Sequence, residues 1–265
     1  MVLIEATDGK YYICDCNVTN ENENKVLNYV ADVISAGTSI TAFICTHRDA
    51  DHMRGIKKIH RYFPIKEIWD SGHPGTTTNS SEYLDYMDLR RKVSSREKKK
   101  LTRQDLGMTR LRYLSAKDER LDKNANAQGL VIKVEHWNKQ DCGSSAILTG
   151  DCDAETWRYA IMEDYSSNDV EASILMGGHH GSITFFDDPA DSKNYYTSHM
   201  TSINPAMTII SVGDNSHGHP DETALKLYKK YSLGSNKGNK VYTTQDKGTI
   251  KLTLKDDGWS LDFVQ

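Results

Sequence analysis

The run Thr46-His47-Arg48-Asp49-Ala50-Asp51-His52 places four metal-capable side chains, His47, Asp49, Asp51 and His52, within six residues. It follows the apolar segment Ile40-Thr41-Ala42-Phe43-Ile44-Cys45, where a buried strand should give way to a loop. Imidazole and carboxylate together suit borderline and hard divalent ions such as zinc and manganese. Three further clusters also follow apolar runs. Leu148-Thr149-Gly150-Asp151 sets a carboxylate at a strand end behind a glycine, which lets it approach a metal without steric hindrance. Met176-Gly177-Gly178-His179-His180-Gly181-Ser182 offers two imidazoles, and Ile210-Ser211-Val212-Gly213-Asp214-Asn215-Ser216-His217-Gly218-His219-Pro220 offers two more. Histidines in glycine loops are common singly; four clusters at successive strand ends can converge on one edge of a sheet.

Those clusters need elements that end together. Val2-Leu3-Ile4 and Tyr11-Tyr12-Ile13-Cys14 flank Thr7-Asp8-Gly9 and predict a hairpin over residues 2–16. Asp15 closes it, either as a turn carboxylate or as a neighbour of the metals. Val26, Leu27, Val30, Val33 and Ile34 predict a helix over 20–35 stopped by Gly37, and residues 56–62 a short helix ended by Pro64. Strands are expected at 65–69, 111–114, 130–134, 146–148, 172–176 and 207–212. Helices are expected at 154–162, 221–231 and, on a weak pattern, 191–200. The chain should close in strands at 241–244, 249–254 and 259–264.

Residues 71–122 read as a polar, basic insertion. Positions 90–103 hold eight Lys or Arg against Glu97, a composition that reads as a solvated helix face, a mobile loop or a guide for polyanions. The net charge of −4 gives no global signature for nucleic acid. Five cysteines without a CxxC pair suit reduced thiols, and no segment reaches the roughly 18 apolar residues of a membrane span. A soluble, cytoplasmic protein without a membrane partner is the expectation.

The His-x-Asp-x-Asp-His loop resembles the metallo-β-lactamase superfamily signature, with Asp in place of the second His. The whole pattern is similar to the metallo-hydrolase domain of ComEC-type competence proteins: Thr46-His47-x-Asp49-x-Asp51-His52-x-x-Gly55, Leu148-Thr149-Gly150-Asp151, His179-His180-Gly181-Ser182, Ser211-Val212-Gly213 and Gly218-His219-Pro220. The resemblance implies one domain over residues 1–265 with an α/β (αββα) fold, two mixed sheets face to face between helices. It implies two divalent metal ions, Zn2+ or Mn2+, held by His47, Asp49, Asp51, His52, a bridging Asp151, and His179 or His180. His219 would be a ligand or a phosphate contact. Asp51, Asp151, His180 and His219 would be catalytic; Arg54, Ser182, Asn215 and His217 would contact substrate. Two departures stand out: Asn126 falls where many superfamily members carry a ligand histidine, and Arg54-Gly55 replaces the usual Gly-Gly. No membrane channel or fused domain is expected, so a role in DNA uptake does not carry over.

The implied activity is metal-dependent hydrolysis, of a phosphodiester in nucleic acid or nucleotide. A pair of dications acidifies a shared water and favours anionic substrates. Alternatives are an acyl hydrolase acting on a lactone, thioester or β-lactam, and a non-catalytic metal-binding module. An acyl substrate needs an apolar pocket, and residues 70–104 are too polar to suggest one.

Overall fold

Short strands that are apolar on both sides must sit between layers, and the middle of the first sheet is built from such strands. The computed structural model describes residues 1–35, 37–138, 140–233 and 240–264. Sheet 1 contains β1 (Val2–Glu5), β2 (Tyr11–Cys14), β4 (Ile40–Ile44), β5 (Ile65–Asp70) and β6 (Ser94–Glu97), in the order β1-β2-β4-β5-β6. The short β3 (Cys16–Asn17) bridges to Met53 and Arg54. Only β1 runs antiparallel to its neighbour. Tyr12, Cys14, Ala42, Ile44 and Trp69 face the second sheet. Ile13, Phe43 and Ile68 face α1 (Glu23–Val33), α3 (Ile56–Tyr62) and α4 (Ser81–Lys92), whose buried sides carry Leu27, Val30, Ile59, Tyr86 and Leu89. The one-turn α2 (Ala50–Met53) lies between β4 and α3.

Sheet 2 takes β7 (Thr102–Leu106), β8 (Thr109–Ser115), β9 (Val131–Trp137), β10 (Cys142–Leu148), β11 (Ile174–Met176), β12 (Met207–Ile210) and β13 (Val241–Thr243). Its order is β13-β12-β11-β10-β9-β8-β7, parallel from β10 to β13 and antiparallel from β7 to β10. Leu111, Tyr113, Ile132 and Leu148 face sheet 1. On the outer face, Ile147, Leu175 and Ile210 pack against α5 (Ala154–Thr156), a π-helical turn Trp157–Ile161, α6 (Met162–Asp164), α7 (Ser167–Val170), α8 (Ser198–Ile203) and α9 (Glu222–Tyr231). A turn, α10 (Thr244–Lys247), leads to the hairpin β14 (Thr249–Lys255) and β15 (Gly258–Val264), which covers Ala146, Ile174 and Ile209. The architecture is the four-layer αββα sandwich that the resemblance implies. Among the described residues, no helix is long and apolar enough to cross a membrane.

Three expectations about elements change. The helix expected at 191–200 is α8, starting at Ser198, because Asp188, Asp191 and Asn194 tie the preceding residues into turns. The helix expected at 154–162 contains the π-helical turn. Positions 90–103 are neither one helix face nor a loop: they close α4, form β6 at the edge of sheet 1 and begin β7.

Candidate metal centre

The ends of β2 and β4 in sheet 1 and of β10, β11 and β12 in sheet 2 meet at one edge, and the clusters converge there. Asp151 is the hub and is 6% exposed. Its Oδ1 lies 3.2 Å from His52 Nε2 and 3.6 Å from His180 Nε2, and Asp51 Oδ2 lies 3.6 and 3.3 Å from the same two nitrogens. One donor atom from each of Asp51, His52, Asp151 and His180 falls within 4.8 Å of all the others. The second oxygen, Oδ2, faces a different set. His47 Nε2 and His179 Nε2 are each 3.8 Å away, and Asp49 Oδ2 is 3.7 Å from His47 Nε2. Neither His179 nor His180 is therefore spare: each addresses one oxygen of Asp151.

Adjacent residues reach opposite sides because both are left-handed, His179 at φ 47° and His180 at φ 54°. Such conformations cost a non-glycine residue of order 1–3 kcal/mol each and persist where the surroundings fix them. Gly150 permits the approach of Asp151, since a Cβ there would lie 2.9 Å from the Thr46 side chain.

The far side of each imidazole is anchored. His52 Nδ1 is 2.8 Å from Asp15 Oδ2 and His180 Nδ1 is 2.7 Å from the Ser211 carbonyl oxygen; both partners accept only, so each Nδ1–H donates, and in the neutral ring Nε2 is the nitrogen left with a lone pair for a cation. The Thr46 hydroxyl donates to Asp15 at 2.7 Å, which leaves its lone pairs for His47 Nδ1 at 3.2 Å. Thr184 donates to Ser182 Oγ and accepts from His179 Nδ1 at 3.1 Å. Four imidazoles held by Nδ1 with Nε2 turned to one carboxylate is the pattern of metal-ligating histidines. Nε2 of His47, His52 and His180 is buried without a hydrogen-bond partner. Two donors about 2.1 Å from one tetrahedral ion stand about 3.4 Å apart, which matches the spacing around Oδ1, while that around Oδ2 is slightly wider. The donors present fit divalent cations.

The electrostatics agree. Burial alone would discharge His52, but the Asp151 and Asp15 carboxylates outweigh it and raise its pKa well above the ordinary value. Burial, then the neighbouring His52, lowers His47 to about 4. Asp151 is held well below the carboxylate range despite its burial, by His52, His47 and His180. Asp49 is pushed up by burial and by Asp51 and Asp151. A cation between these groups replaces a proton and relieves the crowding of carboxylates.

The remaining candidates stand further out. The His219 ring centroid is 5.6 Å from that of His179, and His217 stacks on His219 at 6.0 Å, so His219 forms a rim above the donor cluster. Asn215 accepts from the amides of His217 and His219 and donates to Gly213 and His219, which uses its side chain to shape that loop. Arg54 lies on the opposite wall, paired with Glu82 and Asn17. Ser182 is 4% exposed and faces Thr184; a substrate contact is replaced by a part in orienting His179. Asn126 lines the cleft. Thr46 and Thr184 were not legible as site residues, because a hydroxyl beside histidine is too common a pair to signal anything.

No family model and no curated protein matches the chain. Among solved structures, CmlA, a diiron β-hydroxylase from Streptomyces venezuelae, has a TM-score of 0.53 at 11% identity, over 97% of this chain and 51% of CmlA. The chain thus spans about half the length of CmlA. YhfI from Bacillus subtilis, a metallo-β-lactamase fold protein, has a TM-score of 0.49 at 11% identity over 92% of this chain and 88% of its own. Igni18, a metallo hydrolase from Ignicoccus hospitalis, has 0.43 at 11% identity over 86% and 81%. At these identities the likeness is one of fold alone.

Proposed function

We propose that this chain is a metal-dependent hydrolase with two cation positions, one on each oxygen of Asp151, and that its substrate is a phosphodiester. The carrying observation is the division of donors: Asp51, His52 and His180 around Oδ1, His47, Asp49 and His179 around Oδ2. Bound divalent cations supply Lewis-acid polarisation of the ester and a water acidic enough to ionise near neutral pH. The chain's own groups do the rest. Asp15, Thr46, Thr184 and the Ser211 carbonyl keep the four imidazoles aimed. Burial and the rings of His179, His180 and His217 lower the His219 pKa, so His219 is neutral at pH 7 and offers an N–H to a substrate oxygen from the rim. Arg54 offers the cationic contact on the far wall. Asp49 in place of a histidine makes the set, three carboxylates to four imidazoles, richer in oxygen, which suits manganese as well as zinc.

The test is metal content by mass spectrometry combined with hydrolysis of bis(p-nitrophenyl) phosphate after loading with Mn2+ or Zn2+. Asp151→Asn keeps the shape of the hub and removes its charge; turnover should fall to background and metal content should drop, with the circular dichroism spectrum unchanged. Two metals per chain and a near-normal rate in that variant would overturn the reading.

A further inference from the structure

The cleft above the donor cluster has a volume of about 980 Å³, within the range of small-molecule sites. Its floor is apolar for a topological reason. Strands of both sheets end at the site, so the last inward-facing side chains of the inter-sheet core form the floor: Val2 and Cys14 from sheet 1, Leu148 and Met176 from sheet 2. Val212, after β12, also lines the cleft, from the core on the outer face of sheet 2. Val2 and Met176 are only partly buried, so the core opens directly beside Asp151.

The walls lack what a nucleic-acid strand requires. Phosphate tracking needs rows of Lys and Arg, and sequence-tolerant strand binding adds aromatic platforms. Among the described residues lining the cleft, Arg54 is the one Lys or Arg, and none is Phe, Tyr or Trp. The basic stretch at 90–103 is largely paired with the fold's own carboxylates and rings, although Lys92 and Arg96 stay exposed. Arg90 is bound to Asp70, Arg96 to Glu67, Lys92 to Asp88, and Lys100 to Asp118 and Asp164. Lys98 is laid over the Trp69 ring, 3.6 Å from its centroid.

We infer that the substrate is a small anionic ester whose aryl or alkyl substituent lies on the floor formed by Val2, Leu148 and Met176, with Val212 beside it, and that a nucleic-acid strand is not the substrate. This deepens the hydrolase reading and rests on it. The anionic centre sits over Asp151 with its cations, and the organic group points inward to the opened core. Specificity comes from apolar area beside the metals, with Met176 as its most adaptable part, since an unbranched thioether fits varied shapes.

Phenylphosphonate and methylphosphonate, which share the anionic head and differ in the substituent, provide the test on the Mn2+-loaded protein. Phenylphosphonate should bind at least about tenfold more tightly, both as an inhibitor of bis(p-nitrophenyl) phosphate turnover and by calorimetry, with the more negative heat-capacity change. Met176→Ser should collapse that preference, and Met176→Leu should retain it. Equal binding of the two phosphonates, or cleavage of a single-stranded oligonucleotide with a higher kcat/KM than the small ester, would overturn the inference. If no ester is turned over while calorimetry still shows the phenyl preference and its loss in Met176→Ser, the floor stands and the hydrolase reading fails.

Discussion

Asp15 illustrates how much of a metal centre lies behind the ligands. It adopts a left-handed conformation, φ 53°, just after β2, accepts from the Thr46 amide and hydroxyl, and holds His52 Nδ1. Asp15→Asn preserves the volume but removes the charge that orients His52. Affinity at the Oδ1 position should fall about 10–100-fold, read by competition with a chromophoric chelator, with the Oδ2 position less affected. Unchanged affinity at both positions would show that Asp15 only closes the turn. The sequence located this carboxylate and left both roles open, because nothing local says which way a side chain at a strand end turns. The histidine pair was undecided for a related reason: the left-handed pair that aims His179 and His180 at opposite oxygens is set by tertiary packing.

At the level of elements, the loop bearing His47 and Asp49 is fixed by a buried charge cluster on the neighbouring strand. Asp70, 1% exposed at the end of β5, accepts from Arg48 Nη2 at 2.9 Å, Arg90 Nε at 2.8 Å, Tyr86 Oη at 2.5 Å and the Gly72 amide at 3.0 Å. The cluster ties β4, β5 and α4 together. Removing one member of a buried pair leaves an uncompensated charge, at about 3–5 kcal/mol. Asp70→Asn should therefore lose about 3 kcal/mol in urea unfolding, and a loss below about 1 kcal/mol would mean that water reaches Arg48. Apolar runs of strand length made most strands legible, including β4, β5 and β12. The strand β6, Ser-Ser-Arg-Glu, carries no apolar signal because all four residues are exposed at a sheet edge, where charge discourages pairing with another chain.

Across the molecule, the outer face of sheet 2 encloses a titratable imidazole that has no partner among the described residues. His199 is fully buried among Trp157, Phe185, Phe186 and Tyr196, and neither ring nitrogen has a hydrogen bond. Burial lowers its pKa from 6.5 to about 3. Between those values the unfolded chain takes up a proton that the folded one refuses. The contribution of His199 is thus complete above pH 6.5 and is lost as pH falls toward 3. At pH 5 the loss is about 2 kcal/mol. His199→Phe should abolish that share: the difference in unfolding free energy between pH 7.5 and pH 5 should shrink by about 2 kcal/mol relative to the parent. An unaltered pH dependence would place the acid sensitivity elsewhere.

The two sheets come from successive stretches of chain, sheet 1 from strands between Val2 and Glu97, sheet 2 from strands between Thr102 and Thr243. The donors divide the same way, with His47, Asp49, Asp51 and His52 on the first and Asp151, His179 and His180 on the second. A cation seated among them is a clasp across the seam of the sandwich, tying together halves that are otherwise joined by apolar contact, by hydrogen bonds such as the Leu130 amide to the Thr46 carbonyl and the Thr109 amide to the Thr7 hydroxyl, and by one covalent crossing. Ligand binding to the native state alone stabilises by RT ln(1 + [L]/Kd), about 4 kcal/mol for a site at a thousandfold excess over Kd. Chelation should accordingly lower the melting temperature by several degrees. It should also raise hydrogen exchange first at residues 46–52 and 179–182, on the two sides of the seam. A melting temperature indifferent to chelator would show that the halves hold each other without the clasp.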